Sequence, residues 1–266
     1  MQTATEDGDE RYARQLSLPE VGPEGQRRLA KGRVLLIGVG GLGSPAAIYL
    51  AAAGVGIIGL ADADTIAVSN LQRQILYDTT HIGQFKVDQA RERLLALNPH
   101  VTVVAHCLQF TPSLAGDMLQ GYDFVIDASD NFATKFLVAD ACHRHGIPYS
   151  HAGVRGFHAQ TMTVLPGRTA CYRCVFDAPP AVPQSVTGPM GYVPGVTGAI
   201  QAGEAVRFLL GAGTLLTDRL LIYDGLTAAF RTVAVSRQQN CGLCGSANRA
   251  TVNGAKQRKK KSGRNT

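Results

Sequence analysis

Between Arg33 and Asp62 the chain carries no charged side chain. An uncharged run of that length can cross a bilayer. Here seven glycines lie in residues 33–60, with a turn signal in the middle, and they divide the run into pieces too short to span. A membrane helix is therefore not expected. The opening MQTATEDGDERYAR is polar and acidic and lacks the apolar core of a secretory signal. The expectation is a cytoplasmic protein whose six cysteines are reduced unless they hold a metal. Residues 255–266 contain no acid, and Lys256, Arg258, Lys259, Lys260, Lys261 and Arg264 match the whole net charge of +6. The remaining body is near neutral, which excludes a fold-wide nucleic-acid surface. No internal repeat is present. No Ser-His-Asp or Cys-His constellation marks a protein nucleophile.

What is present is organised around residues 34–64, VLLIGVGGLGSPAAIYLAAAGVGIIGLADAD. The pattern reads as strand, glycine turn, helix and strand, the first half of a nucleotide-binding α/β unit. Gly38 permits the tight turn, Gly40 lets backbone approach a phosphate, and Gly43 lets helix and strand pack closely. The helix N-terminus then faces the anion. Further helices are expected at 24–30, 81–97 (with Leu94, Leu95 and Leu97 as its apolar residues), 113–119, 132–145 and 199–210. Strands are expected at 101–104, 122–126, from 148 and at 161–165. Residues 178–198, rich in Pro and Gly, read as a long loop. Strands at 220–223 and 230–235 form an antiparallel pair. The fold class is α/β: a doubly wound, mainly parallel Rossmann-like sheet with an antiparallel C-terminal extension. Ligands of such sheets sit at the carboxyl ends of the strands. The glycine turn, Asp62/Asp64 and residues 127–131 all follow strands and should meet in one crevice.

Cys171-x-x-Cys174 and Cys241-x-x-Cys244 present two thiolate pairs, the donor set of a closed structural zinc site. Such a site leaves no open position, so this metal holds the fold and does no chemistry. Cys107 and Cys142 fall in strand and helix patterns and are expected in the core. Taken singly, Arg11 and Arg14 read as solvated surface, Lys86 as a surface residue of its helix, and Asp130 as an N-cap. Asp62 follows Gly43 at a spacing that also suits the ribose of a nicotinamide nucleotide.

Together these motifs carry more. The chain resembles the adenylyltransferases that activate ubiquitin-like sulfur-carrier proteins, the family of the molybdopterin-synthase and thiamine-pathway activating enzymes, related to the ubiquitin-activating enzymes. The matching residues are Arg11-Tyr12-x-Arg14-Gln15, GVGGLGS at 38–44, Asp62-x-Asp64, Ser69-Asn70-Leu71-x-Arg73-Gln74, Gly83-x-x-Lys86, Asp127-x-x-Asp130-Asn131, both cysteine pairs and Pro194-Gly195-Val196-x-Gly198. The resemblance implies ATP-dependent adenylation of the carrier's C-terminal glycine carboxylate. It implies nucleotide contacts from Gly38, Gly40, Gly41, Gly43, Asp62 (ribose), Asp64, Ser69, Asn70, Gln74 and Asn131. Arg73 and Lys86 would act with Asn70 on the phosphates, and Asp130 would hold Mg²⁺. Arg14 would reach the phosphates from the other subunit of a homodimer, which replaces its local reading. Residues 11–250 would form one adenylation domain, with a nucleotide-binding half at 11–165 and a zinc- and carrier-binding half at 166–250. Residues 1–10 and the basic tail 251–266 would be disordered.

The chain departs from the pattern in three places. Many relatives carry a cysteine before the Pro-Gly-Val segment. Here no residue between Cys174 and Cys241 is cysteine, and Gln184 and Ser185 stand nearest. Adenylation without a covalent carrier–enzyme intermediate is therefore expected. Lys135 stands where an arginine is expected, a mild change in a basic contact. A rhodanese-like extension is missing, so sulfur would come from a separate donor. The competing readings are a NAD-dependent oxidoreductase, a non-catalytic nucleotide-fold module, and the same adenylation directed at a tRNA-modification or peptide carboxylate. The tail KQRKKKSGRNT is either a polyanion-binding element or a solvated appendage.

Overall fold

The structure, a computed structural model, describes residues 10–178 and 188–245. The expected disorder of 1–10 (but for Glu10) and of the tail, the positions Gln184 and Ser185, and residues 179–187 of the expected 178–198 loop lie outside the described residues. In chain order the elements are α1 (Ala13–Leu16), α2 (Gly22–Lys31), β1 (Arg33–Ile37), α3 (Gly43–Ala53), β2 (Ile57–Ala61), α4 (Lys86–Leu97), β3 (Thr102–His106), α5 (Ala115–Leu119), β4 (Phe124–Asp127) and α6 (Phe132–His145). They continue with β5 (Tyr149–Arg155), β6 (His158–Val164), α7 (Tyr172–Val175), α8 (Tyr192–Leu210), β7 (Arg219–Asp224) and β8 (Ala229–Ala234). One eight-stranded sheet has the order β3-β2-β1-β4-β5-β6-β7-β8. The strands from β3 to β5 are parallel and β6 to β8 are antiparallel.

The two faces follow from strand periodicity. In β1, Val34 and Leu36 join a core with α3, α4 and α8, while Leu35 and Ile37 join a second core with α5 and α6. Strand β4 alternates in step: Phe124 and Ile126 lie on the first face and Val125 on the second. The order in which strands are added reverses at β1, with β2 on one side and β4 on the other. The turns leaving β1 and β4 therefore flank the switch point where open α/β sheets form their crevice.

Two elements and one cysteine differ from expectation. The helix expected at 81–97 begins at Lys86. Gly83 has φ +88, a left-handed conformation that ends any helix, and residues 79–81 form only a 3₁₀ turn. The buried face of α4 is Val87, Ala90 and Leu94, while Leu95 and Leu97 are exposed. The end of the expected 178–198 loop is helical: α8 starts at Tyr192 and absorbs the Pro-Gly-Val segment. Pro194 falls in the first turn, where no intrahelical N–H is required. Gly198 lets α8 press on α3, because a Cβ there would stand 2.2 Å from the Leu42 carbonyl oxygen. Close packing thus outweighs weak helix propensity. Cys107 follows β3 and is exposed, whereas Cys142 is buried as expected. Among the described residues no helix is long and apolar enough to cross a membrane.

Candidate active site

The glycine turn is fixed by its neighbours. Gly38 has φ +92, and a Cβ on it would lie 2.7 Å from the Ala128 carbonyl oxygen. Only glycine satisfies both the dihedral and the contact, so the turns leaving β1 and β4 touch. Both backbone polar groups of Val39 are held. Its N–H donates to Asp62 Oδ2 at 2.8 Å, and its carbonyl accepts from the Tyr77 hydroxyl at 2.7 Å. Burial first, and then the carboxylates of Asp62 and Asp64, push the Tyr77 phenol far above its ordinary value. It remains a donor throughout the physiological range.

Residues 68–74 close over this turn. The stem of Arg73 lies 3.4 Å from the Cβ position of Gly41, and Gln74 Nε2 lies 3.4 Å from that of Gly40. Arg73 also donates to the Ser69 carbonyl at 2.9 Å, and Asn70 Oδ1 accepts the Ala67 N–H at 3.2 Å. Gln74 is buried with no partner for its Oε1. Lys86 opens α4 and is 4% exposed, so its surface reading fails. Its ammonium sits 2.8 Å from Asp64 Oδ2. Asp62 Oδ1 accepts the Asp64 N–H at 2.9 Å, which aligns the two acids.

On the β4 side Asn131, not Asp130, caps α6, its Oδ1 accepting the Thr134 N–H at 2.9 Å. The extended backbone of Asn131 suits that position. The Asp130 carboxylate is exposed and, among the described residues, accepts one hydrogen bond, from Asn131 Nδ2 at 3.4 Å. The structure therefore gathers Gly38–Gly43, Asp62, Asp64, Ser69–Gln74, Lys86 and the Asp130 turn. Arg14 is not with them. Helix α1 packs on the far end of α3, where Gln15 donates to the Ala53 carbonyl at 3.2 Å. At the helical rise that end is about 15 Å from the glycine turn.

Residues 12–243 match the ThiF family. A sulfur carrier protein adenylyltransferase of Thermus thermophilus is 45% identical over 245 residues, covering 89% of this chain and 90% of that protein. The chain belongs to the ThiF family. The SAMP-activating enzyme E1 of Haloferax volcanii is 42% identical and 88% covered. The adenylyltransferase and sulfurtransferase MOCS3 of Drosophila sechellia is 42% identical over 90% of this chain, which spans 54% of that longer protein. Among solved structures, E. coli MccB with MccA-N7isoASN has a TM-score of 0.80 at 23% identity, over 92% of this chain and 76% of that one, a likeness of fold.

Away from the crevice of this ThiF-family chain, Cys171, Cys174, Cys241 and Cys244 come together, all buried, with every sulfur within 4.8 Å of the others. The closest Sγ–Sγ distances are 3.7, 3.5 and 3.3 Å. Tetrahedral thiolate ligation requires edges of about 3.8 Å for metal–sulfur bonds near 2.3 Å. The donor set fits a metal ion. Burial opposes ionisation of Cys241, but the N–H groups of Cys244 and Leu243 and the adjacent thiols bring it to about 7. Burial and the neighbouring sulfurs push Cys171 well up. Full ionisation of the set thus calls for a cation in its centre.

Three polar anchors had little signal in the sequence. Tyr77 is an aromatic in an aperiodic segment. Gln201 on α8 donates to the carbonyls of Asp127 and Ser150 at 3.0 and 3.1 Å, which ties α8 to the end of β4. Lys135, expected to make a basic contact, is instead buried beneath the Asp130 turn. Its one visible sign is a lysine in register with the apolar Ala139 and Cys142 of the same helix.

Proposed function

We propose that this chain uses ATP to adenylate the C-terminal glycine carboxylate of a small ubiquitin-like sulfur-carrier protein ending in Gly-Gly. One observation carries the reading: the packing of Arg73 and Gln74 on the glycine turn, beside Lys86 and Asp130, in a chain of this family. The carboxylate, with pKa about 3.5, is ionised at neutral pH. It attacks the α-phosphorus, and the bond to pyrophosphate breaks with the electron pair leaving on pyrophosphate. No general base is needed. The barrier is one of charge, and cations fixed in the crevice lower it. Arg73 and Lys86, with Asn70, face the phosphates. Asp62 takes the ribose hydroxyls; Gly38, Gly40, Gly41, Gly43, Asp64, Ser69, Gln74 and Asn131 complete the nucleotide contacts. Asp130 holds Mg²⁺, which when bound neutralises triphosphate charge. The four cysteines hold Zn²⁺.

In the same reading the enzyme is a homodimer with Arg14 acting in trans. Its own crevice is too distant, and the segment around the site exposes Val68, Ile75, Ile82 and Phe85 as apolar surface for a partner to cover. Arg14→Ala and Asp130→Ala chains should each be inactive alone. Mixed after unfolding and reassembly, they should regain about a quarter of wild-type exchange, the share of intact sites in a two-fold dimer. Arginine acting in cis would give no recovery.

The direct test is carrier-dependent ATP–pyrophosphate exchange, preceded by thermal stabilisation with ATP and not with NAD. No covalent carrier–enzyme adduct forms. A thiol-sensitive adduct on a non-reducing gel would refute that last point, and absence of exchange with every Gly-Gly carrier would refute the substrate class.

A further inference from the structure

We propose that Lys135 is the positioning residue for Asp130, an inference that rests on Asp130 being the magnesium–phosphate contact. Lys135 is 6% exposed. Its ammonium donates to the carbonyls of Ser129 and Ala152, both at 2.6 Å, and lies 3.5 Å from Asp127 Oδ2. These three contacts match its three donors. The Ser129 carbonyl belongs to the rigid peptide plane that includes the Asp130 nitrogen and Cα. Lys135 therefore grips the plane from which Asp130 projects and ties it to β5 through Ala152.

The other side of the turn is held by Asp127. Its Oδ1 accepts the Ser129 N–H at 3.1 Å and the Ser129 hydroxyl at 2.6 Å, and its Oδ2 faces His151 Nδ1 at 3.0 Å. Burial opposes ionisation of Asp127, but Lys135, His151 and Ser129 together hold its carboxyl below the ordinary value. Burial, with the Lys135 charge, lowers the His151 imidazole below its ordinary value, against the pull of Asp127. A buried ion pair is on average no more stabilising than a well-packed apolar pair of equal volume. The carbonyl grip supplies a reason for a charge here that stability alone does not.

The test uses the full-length chain with both buried charges removed together, Lys135→Met with Asp127→Asn, so that neither partner is stranded. The amide oxygen introduced by Asp127→Asn retains the acceptor for Ser129. The measurements are the Mg²⁺ concentration for half-maximal ATP binding by calorimetry and the rate of pyrophosphate exchange. Half-saturation should rise about tenfold or more and exchange should fall about as far, as for residues that orient metal ligands. ATP affinity without Mg²⁺ should be unchanged. Added to Asp130→Asn, the pair should cause no further loss, because both changes act through one carboxylate. A folded Lys135→Met/Asp127→Asn protein with wild-type Mg²⁺ response, or additive losses, overturns the proposal. If Asp130→Asn itself leaves the Mg²⁺ response intact, the reading of Asp130 falls and the proposal falls with it.

Discussion

Lys86→Ala should lower carrier-dependent ATP–pyrophosphate exchange about 100- to 1,000-fold while leaving the fold intact. The loss is that of one fixed charge-stabilising group, about 3–4 kcal/mol of barrier. The structure separates this effect from stability. Among the described residues the Lys86 ammonium has one partner, Asp64, whose carboxylate is 68% exposed and returns to water when the lysine is removed. A pair with one solvated member contributes under about 1 kcal/mol. The backbone of α4 keeps its own anchor, the Lys86 N–H donating to the Asp64 carbonyl at 3.0 Å. The melting temperature should therefore move by only a few degrees. Lys86→Arg should rescue little, since a planar fork does not reproduce a buried point charge on a straight stem. Exchange within tenfold of wild type in Lys86→Ala would remove this residue from the phosphate site. The rate should be read with saturating carrier, so that weakened docking is not mistaken for lost chemistry.

How far the sequence reaches depends on the range of the interaction involved. Strand β1 is legible because an uncharged apolar run that ends at a glycine turn is accounted for by burial on two faces, and helix α6 because its fourteen helical residues end at Gly146, which takes the left-handed C-cap. The glycine turn is legible for the same local reason: Gly38 needs its dihedral wherever it sits. Contacts between distant segments are not local. Pro194 and Gly198 read as a loop until α3 is packed against them. Asp130 reads locally as the cap, but the structure uses Asn131, which leaves Asp130 facing solvent. Lys135 looks like an exchangeable basic residue because its partners, Ser129, Ala152 and Asp127, are brought to it by two neighbouring strands. Tyr77 reaches Val39 across 38 positions. In each case the missing information is the identity of the atom at the far end.

The cysteine cluster yields the largest expected change in stability. Purified chain should contain about one zinc per protomer, and Cys241→Ser should lose it, whereas Cys107→Ser and Cys142→Ala should not. The pairs are 70 positions apart, so a shared metal cross-links a long segment that includes α8, β7 and β8. Closing a loop of that size restricts the unfolded chain by about 4 kcal/mol. At about 2–4 °C per kcal/mol for a chain of this class, chelation should lower the melting temperature on the order of 10 °C. Disulfides drawn from the same four sulfurs would show the reverse chemistry. A metal cluster withstands a reductant and yields to a chelator; a disulfide pair withstands the chelator and yields to the reductant. The anchoring around the site favours a fixed clamp. Arg173, between the first two cysteines, pairs with both oxygens of Asp140 at 2.7 and 2.9 Å, and Gln238 donates to the Cys174 carbonyl at 2.7 Å. Helix α6 and the segment after β8 are thereby held to one knuckle. A chain purified without stoichiometric metal, or a Cys241→Ser chain that melts with wild type, would deny the cluster this role.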